Sequence, residues 1–166
     1  MKATLALAIF ALSTGAAAQQ TTLTATKIAS PRLENSELAA VLVNGEEIKL
    51  PSYGKEPPPV FVRLWRVEVE GTCVEETEAV CAYRYYLAVS DYGEEEAPFA
   101  VYQLGEVGEI GRFRWLPRAA RDAARLHLVV MNWPAAARKR QKSLVRKTQA
   151  YDLVVSTDSL SIKPVR

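Results

Sequence analysis

The chain has 166 residues, with 21 Lys and Arg, 19 Asp and Glu, and 49% hydrophobic residues. This length suits one ordinary domain with a real hydrophobic core. The sequence contains neither an internal repeat nor a low-complexity tract, and after the N-terminal leader no segment has the roughly 18 consecutive apolar residues of a membrane-spanning helix.

The N-terminus has the pattern of a secretory signal peptide. Lys2 precedes an apolar run from Leu5 to Leu12, and three small residues at 16–18 offer a cleavage site. We therefore expect residues 1–18 to be removed and residues 19–166, 148 in all, to form a single domain that is periplasmic or secreted. No cysteine follows the cleavage site to take a lipid anchor.

The two cysteines, Cys73 and Cys81, are predicted to form a disulfide bond, because an exported protein passes through an oxidising compartment. Seven intervening residues do not resemble the short spacings of redox or zinc sites. The sequence predicts no metal site and no cofactor.

Charge is distributed unevenly along the chain. Residues 19–110 contain 7 Lys and Arg against 16 Asp and Glu, a net charge of −9, whereas residues 111–166 contain 13 against 3, a net charge of +10. The simpler interpretation places acidic and basic strands side by side in one sheet. The alternative is a folded dipole whose basic side meets an anionic partner.

Period-two alternation of Val, Thr, Tyr and Leu predicts β-strands along the mature chain. A hairpin is predicted over Val41–Leu50, where Asn44-Gly45 suits a two-residue type I′ turn. The other predicted strands are Thr21–Ile28, Val60–Val69, Val80–Val89, Phe99–Leu104, Gly111–Leu116, Leu126–Met131, Leu144–Val145, Tyr151–Val155 and Leu160–Ile162.

The segments between these strands have distinct compositions. Residues 51–59 hold three consecutive prolines and are expected to form an extended surface connection. The disulfide closes the tip of a hairpin that carries the acidic loop 75–78, and a second acidic loop, 91–96, lies at the opposite end of the next strand. A short helix is predicted over Pro117–Ala124, and a weaker one after Pro134.

Eight or nine short strands predict an all-β fold, namely an antiparallel two-sheet sandwich. An immunoglobulin-like arrangement of its strands is one option, and a small soluble β-barrel is the alternative fold.

No catalytic motif stands out. His127 is the only histidine, and no serine lies in a Gly-x-Ser-x-Gly elbow. The acidic residues cluster in loops, where paired carboxylates for glycoside cleavage are not expected. Asp91 with Glu94–Glu96 offers oxygen ligands for calcium but lacks the alternating pattern of a calcium loop.

The basic run over residues 138–147 is the best candidate contact surface in the sequence. We expect Trp65 and Trp115 to fill the core, whereas Trp133 at a strand end is expected to make surface contacts. The candidate binding residues are Trp133, Arg138, Lys139, Arg140, Lys142, Arg146 and Lys147.

These features favour an exported, non-catalytic binding module of the cell envelope, such as an adaptor, an inhibitor or an assembly subunit. The expected partner is another envelope protein or an anionic envelope polymer, not nucleic acid. Two alternatives remain open at this point: a small envelope hydrolase acting on wall polymer or protein, and an electrostatic binder of anionic lipid or polymer.

Overall fold

A computed structural model describes residues 23–28, 41, 43–73, 81–92, 97–118, 120–132 and 147–165. These ranges contain antiparallel strands and almost no helix. The strands are Ala25–Ile28 (β1), Glu46–Ile48 (β2), Phe61–Glu68 (β3), Tyr83–Ser90 (β4), Phe99–Val107 (β5), Glu109–Trp115 (β6), Ala124–Asn132 (β7), Lys147–Val155 (β8) and Leu160–Val165 (β9).

The strands form two sheets, which confirms the predicted two-sheet sandwich. The first sheet has the order β1-β5-β4-β3-β2, and the second has the order β6-β7-β8-β9. Consecutive strands stay in the same sheet from β2 to β5 and from β6 to β9. This differs from the immunoglobulin arrangement, in which several consecutive strands, such as B and C or E and F, lie in different sheets.

The core lies between the two sheets and is built by alternation along each strand. In β7 the even-numbered residues from Ala124 to Val130 are buried, and in β8 Tyr151, Leu153 and Val155 are buried. They pack with Leu64, Leu87 and Leu104 of the first sheet in one cluster. The side chains between them point away from the core, so the second sheet has a separate outer face.

The chain passes from the first sheet to the second at Gly108, between β5 and β6. Tyr85, which is fully buried, fixes this crossing with its hydroxyl. The hydroxyl donates to the carbonyl oxygen of Gly108 at 3.2 Å and accepts from the N–H of Ile110 at 3.0 Å. Burial raises the pKa of Tyr85 to about 12, against the lowering effect of the Ile110 hydrogen bond.

The predicted disulfide is present between Cys73 and Cys81, at the tip of the β3–β4 hairpin. The Thr72 hydroxyl supports this tip by donating to the carbonyl oxygen of Val69 at 2.6 Å and accepting from the N–H of Ala82 at 3.0 Å. The β4–β5 connection lies at the other end of β4. The described residues that flank the two predicted acidic loops therefore lie at opposite ends of β4, as expected from a meander.

The hairpin predicted over Val41–Leu50 is wrong. Val41, Val43 and Asn44 have helical backbone, and the Gly45 N–H donates to the Val41 carbonyl oxygen at 2.8 Å, as in a helical turn. β2 pairs instead with β3, where Ile48 lies opposite Leu64. Pairing with the long strand β3 extends the first sheet, and this tertiary gain outweighs the local turn preference of Asn-Gly.

The helix predicted over Pro117–Ala124 is also wrong for the residues that the structure describes there. The Leu116 N–H donates to the Arg125 carbonyl oxygen at 2.9 Å, so the β6–β7 ladder continues to the base of this segment. Arg118 closes the connection by donating to the carbonyl oxygens of Ala120 and Arg121. The segment is a hairpin loop because both of its ends are fixed to neighbouring strands.

Three predictions concern residues outside the described ranges: the signal peptide, the strand Leu144–Val145 and the helix after Pro134. Among the described residues, no helix is long and apolar enough to cross a membrane.

Candidate functional site

Basic side chains gather on the outer face of the second sheet. Arg112 and Arg114 extend from β6, and Arg125 and His127 extend from β7, on the side away from the buried residues. Lys163 of β9 lies on the same side. We call these five residues the basic face.

The strand register aligns part of the basic face in one row across all four strands. Arg114 lies opposite His127, His127 opposite Asp152, and Asp152 opposite Lys163. Directly opposed residues have Cβ atoms about 5 Å apart. Glu109, at the start of β6, is the other acidic residue that the structure places on this side.

Arginines in the first sheet are neutralised by their neighbours. Arg66 and Arg84 approach the carboxylates of Glu46 and Glu106 at 2.6 Å, and Arg63 approaches Glu47 at 3.6 Å. Burial lowers the pKa of Arg66, but the hydrogen bond to Glu46 and the charge interactions with Glu46, Tyr83 and Tyr85 together outweigh burial, so the pKa is raised. In Arg84 the hydrogen bond to Glu106 raises the pKa.

The basic face differs in this respect. Its cations Arg112, Arg114, Arg125 and Lys163 form no ion pair with any residue that the structure describes. Arg112, Arg114 and Lys163 are exposed, and Arg125 is half-buried. Like charges on one face repel each other, and an external anion relieves that repulsion.

A β-bulge shapes a hollow beside these arginines. Ile110 lies opposite Val130 and Arg112 opposite Val129, which leaves Gly111 as the extra residue. The hollow is open to solvent, has a volume of about 590 Å³ and is lined by Gly111, Arg112, Phe113, Arg114, His127 and Val129.

His127 has an acidic partner that the sequence did not reveal. Its Nδ1 lies 2.7 Å from Oδ1 of Asp152, and both side chains are partly exposed. A carboxylate in this position orients the ring as in a Ser-His-Asp triad. In the described part of the chain, no hydroxyl or thiol forms a hydrogen bond with Nε2.

Most of the predicted binding residues lie outside the described ranges. These are Trp133, Arg138, Lys139, Arg140, Lys142 and Arg146. Lys147 is exposed at the start of β8, where it lies opposite Asn132 of β7. The described residues that flank residues 133–146 therefore lie side by side at one end of the second sheet.

The tryptophans Trp65 and Trp115 are half-buried, although both were expected in the core. Trp115 packs against the core but also lines a second hollow of about 350 Å³ beside Tyr53, Phe61 and Tyr92. Its indole N–H donates to the Pro51 carbonyl oxygen at 2.6 Å, and its ring meets that of Tyr53 edge to face. The proline-rich connection therefore packs along the end of β6.

The described residues offer no convincing metal site. Glu68 lies close to Cys73 and Cys81, but the cysteines are joined in the disulfide and hold no thiolate to ligate a cation. Of the acidic residues considered for calcium, the structure describes only Asp91.

Sequence reasoning did not single out Arg112, Arg114, Arg125, Asp152 or Lys163. The period-two spacing of Arg112 and Arg114 within a predicted strand was the available signal. This spacing indicates that the two arginines share a face, but it does not show which residues of the neighbouring strand lie opposite them.

No family model, no curated protein and no solved structure matches this chain.

Proposed function

We propose that this protein is an exported, non-catalytic binding module of the cell envelope, and that its basic face holds an anionic partner. The observation that carries the proposal is the contrast between the two sheets. The arginines of β3 and β4 are each paired with a glutamate, whereas Arg112, Arg114 and Arg125 are unpaired among the described residues.

The charge of the sequence between β7 and β8 also supports an anionic partner. Five further Lys and Arg lie in residues 133–146, between the ends of β7 and β8. They follow the strands that carry the basic face and contribute to the net charge of +10 over residues 111–166. Such a concentration of one sign steers and holds an anionic partner.

The compartment is inferred from two independent features. A disulfide bond is typical of an oxidising compartment, and the N-terminal sequence has the pattern of an export signal. Together they support a periplasmic or secreted protein, where acidic protein surfaces and anionic polymers are available partners.

The test is a pull-down from solubilised envelope extract with three baits. The first is the oxidised wild type, and the second carries Arg112→Gln, Arg114→Gln and Arg125→Gln. The third carries Lys49→Gln, Lys55→Gln and Arg63→Gln, which removes the same charge from the exposed surface of the first sheet and its connection.

We expect material that the wild type and the first-sheet variant retain at low salt and that the Arg112/Arg114/Arg125 variant loses. Equal retention by all three baits would show that the basic face is not the binding surface. Urea unfolding of each bait shows whether a loss of binding arises from a loss of folded protein.

A further inference from the structure

The free edge of β6 combines unpaired arginines with unpaired backbone. β6 forms one side of the second sheet, and among the described strands only β7 pairs with it. Its seven residues make it longer than β2, and it lacks the proline that interrupts the other edge of the second sheet at Pro164 in β9.

Hydrogen bonds at both ends of β6 define which backbone groups face outward. The Leu116 N–H points to β7, where it donates to Arg125, whereas the Ile110 N–H points away from β7 to the Tyr85 hydroxyl. Residues of an antiparallel strand alternate between its two neighbours, and the extra residue at the Gly111 bulge shifts this alternation by one between Ile110 and Leu116. The N–H and C=O groups of Phe113 and Trp115 therefore point away from β7, toward the free edge.

The same alternation determines how a new strand would meet the arginines. Arg112 and Arg114 direct their backbone groups to β7, so they occupy non-hydrogen-bonded positions toward an added strand. Side chains directly opposite each other approach most closely at such positions. Residues spaced two apart in a strand are about 7 Å apart, so alternate residues of the new strand match Arg112 and Arg114.

We propose that the β6 edge accepts an extended segment of a partner protein as an added strand, with acidic residues opposite Arg112 and Arg114. The partner residues between the acids lie opposite Phe113 and Trp115. Because Phe113 and Trp115 are half-buried, we expect these partner residues to be apolar. The arrangement repeats the Arg–Glu pairs that join β2 to β3 and β4 to β5 in the first sheet.

This inference rests on the proposed function and names its partner as an alternating acidic and apolar strand. A disordered anionic polymer or a lipid headgroup uses the charges of the basic face alone. An added strand also uses the backbone of Phe113 and Trp115, as in β-augmentation. The two modes are therefore separated by changing backbone hydrogen bonds without changing charge.

The probes are three blocked peptides of the sequence Thr-Glu-Val-Glu-Val-Glu-Thr, titrated into oxidised, ¹⁵N-labelled protein. The first is unmodified. In the second the two valine amides, which would donate to β6, are N-methylated. The third peptide is the matched control: two of its glutamate amides, which would point away from β6, are N-methylated.

We expect the unmodified and glutamate-methylated peptides to bind, and the valine-methylated peptide to bind about tenfold more weakly or worse, because two inter-strand bonds are lost. Binding is expected to slow hydrogen exchange at the Phe113 and Trp115 amides. Arg112→Gln with Arg114→Gln is expected to weaken binding of the unmodified peptide roughly three- to tenfold, and Lys49→Gln with Lys55→Gln to leave it unchanged.

Equal affinity for all three peptides, without protection at Phe113 and Trp115, would overturn strand addition and leave the anion-binding function standing. Failure of every peptide to bind would overturn the inference as well. The pull-down with the Arg112/Arg114/Arg125 variant then decides separately whether the basic face binds any anion.

Discussion

At the scale of single residues, Tyr85 joins the two sheets through its hydroxyl. We expect Tyr85→Phe to lower the free energy of unfolding at pH 7 by about 1 to 3 kcal/mol, because the buried N–H of Ile110 loses its acceptor. Urea unfolding measures this change. A stability equal to that of the wild type would mean that the hydroxyl does not hold the crossing at Gly108.

Tyr85 also predicts how stability depends on alkaline pH. The unfolded chain releases this proton near pH 10, whereas burial holds it in the folded state to about pH 12. Its contribution is fully present below pH 10 and is lost as the pH rises to 12, by at most about 2 to 3 kcal/mol. The difference between the wild-type and Tyr85→Phe unfolding curves should therefore shrink over this interval, whereas a constant difference would contradict it.

Two glycines are expected to respond differently to alanine. A Cβ at Gly111 would meet the Met131 Cε at 2.6 Å, and that side-chain end can move. A Cβ at Gly45 would meet the backbone carbonyl oxygen of Val41, which is fixed by its bond to the Gly45 N–H. We expect Gly45→Ala to destabilise by more than about 1 kcal/mol and Gly111→Ala by less, as measured by thermal unfolding.

A larger loss of stability in Gly111→Ala than in Gly45→Ala would show that the backbone of the Gly45 turn accommodates a Cβ more easily than the bulge does. Comparing the two variants controls for the gain in chain stiffness, since each replaces a glycine by the same residue.

At the scale of elements, the β3–β4 hairpin carries the disulfide. Closing a loop between residues separated by 8 positions restricts the unfolded chain. Loop entropy predicts that Cys73→Ala with Cys81→Ala lowers the free energy of unfolding by about 2 to 3 kcal/mol. Chemical denaturation measures the loss, and the wild type in reductant provides a control without substitution. A loss in neither sample would mean that the ladder alone fixes the tip.

At the scale of the whole molecule, the charge is divided between the two halves of the chain. The interpretation that acidic and basic strands alternate in one sheet is wrong for the described strands, because β1–β5 and β6–β9 form separate sheets. The acidic half supplies the first sheet and the basic half supplies the second, apart from Glu109 at the start of β6. Within the described strands, however, the first sheet carries 4 Lys and Arg against 4 Glu, a net charge of zero, whereas the second sheet carries 5 against 2, a net charge of +3.

This concentration of positive charge in the second sheet predicts that the protein binds a cation exchanger at pH 7 in low salt, although its formal net charge is only +2. Arg112→Gln, Arg114→Gln and Arg125→Gln are expected to lower the salt needed to elute it from the cation exchanger more than Lys49→Gln, Lys55→Gln and Arg63→Gln. Equal shifts would mean that net charge, not the basic face, governs adsorption.

The sequence by itself determined the elements with a strong local signal. Alternation located β3, β6 and β7 to within two residues at each end, because the side chains of a strand that is buried on one face alternate between apolar and polar. The all-β class and the two-sheet sandwich followed from those strands, and the disulfide was predicted from two cysteines in a chain with the N-terminal pattern of an export signal.

Tertiary structure decided which strands are neighbours and therefore which charges meet. Asn44-Gly45 has the local chemistry of a hairpin turn, yet β2 pairs with β3, because pairing with a strand of the sheet gains packing that the turn alone does not supply. His127 and Asp152 are 25 residues apart and meet through the β7–β8 register. The pairing of first-sheet arginines and the isolation of Arg112 and Arg114 depend in the same way on register, which is set by packing across the core and not by any single strand.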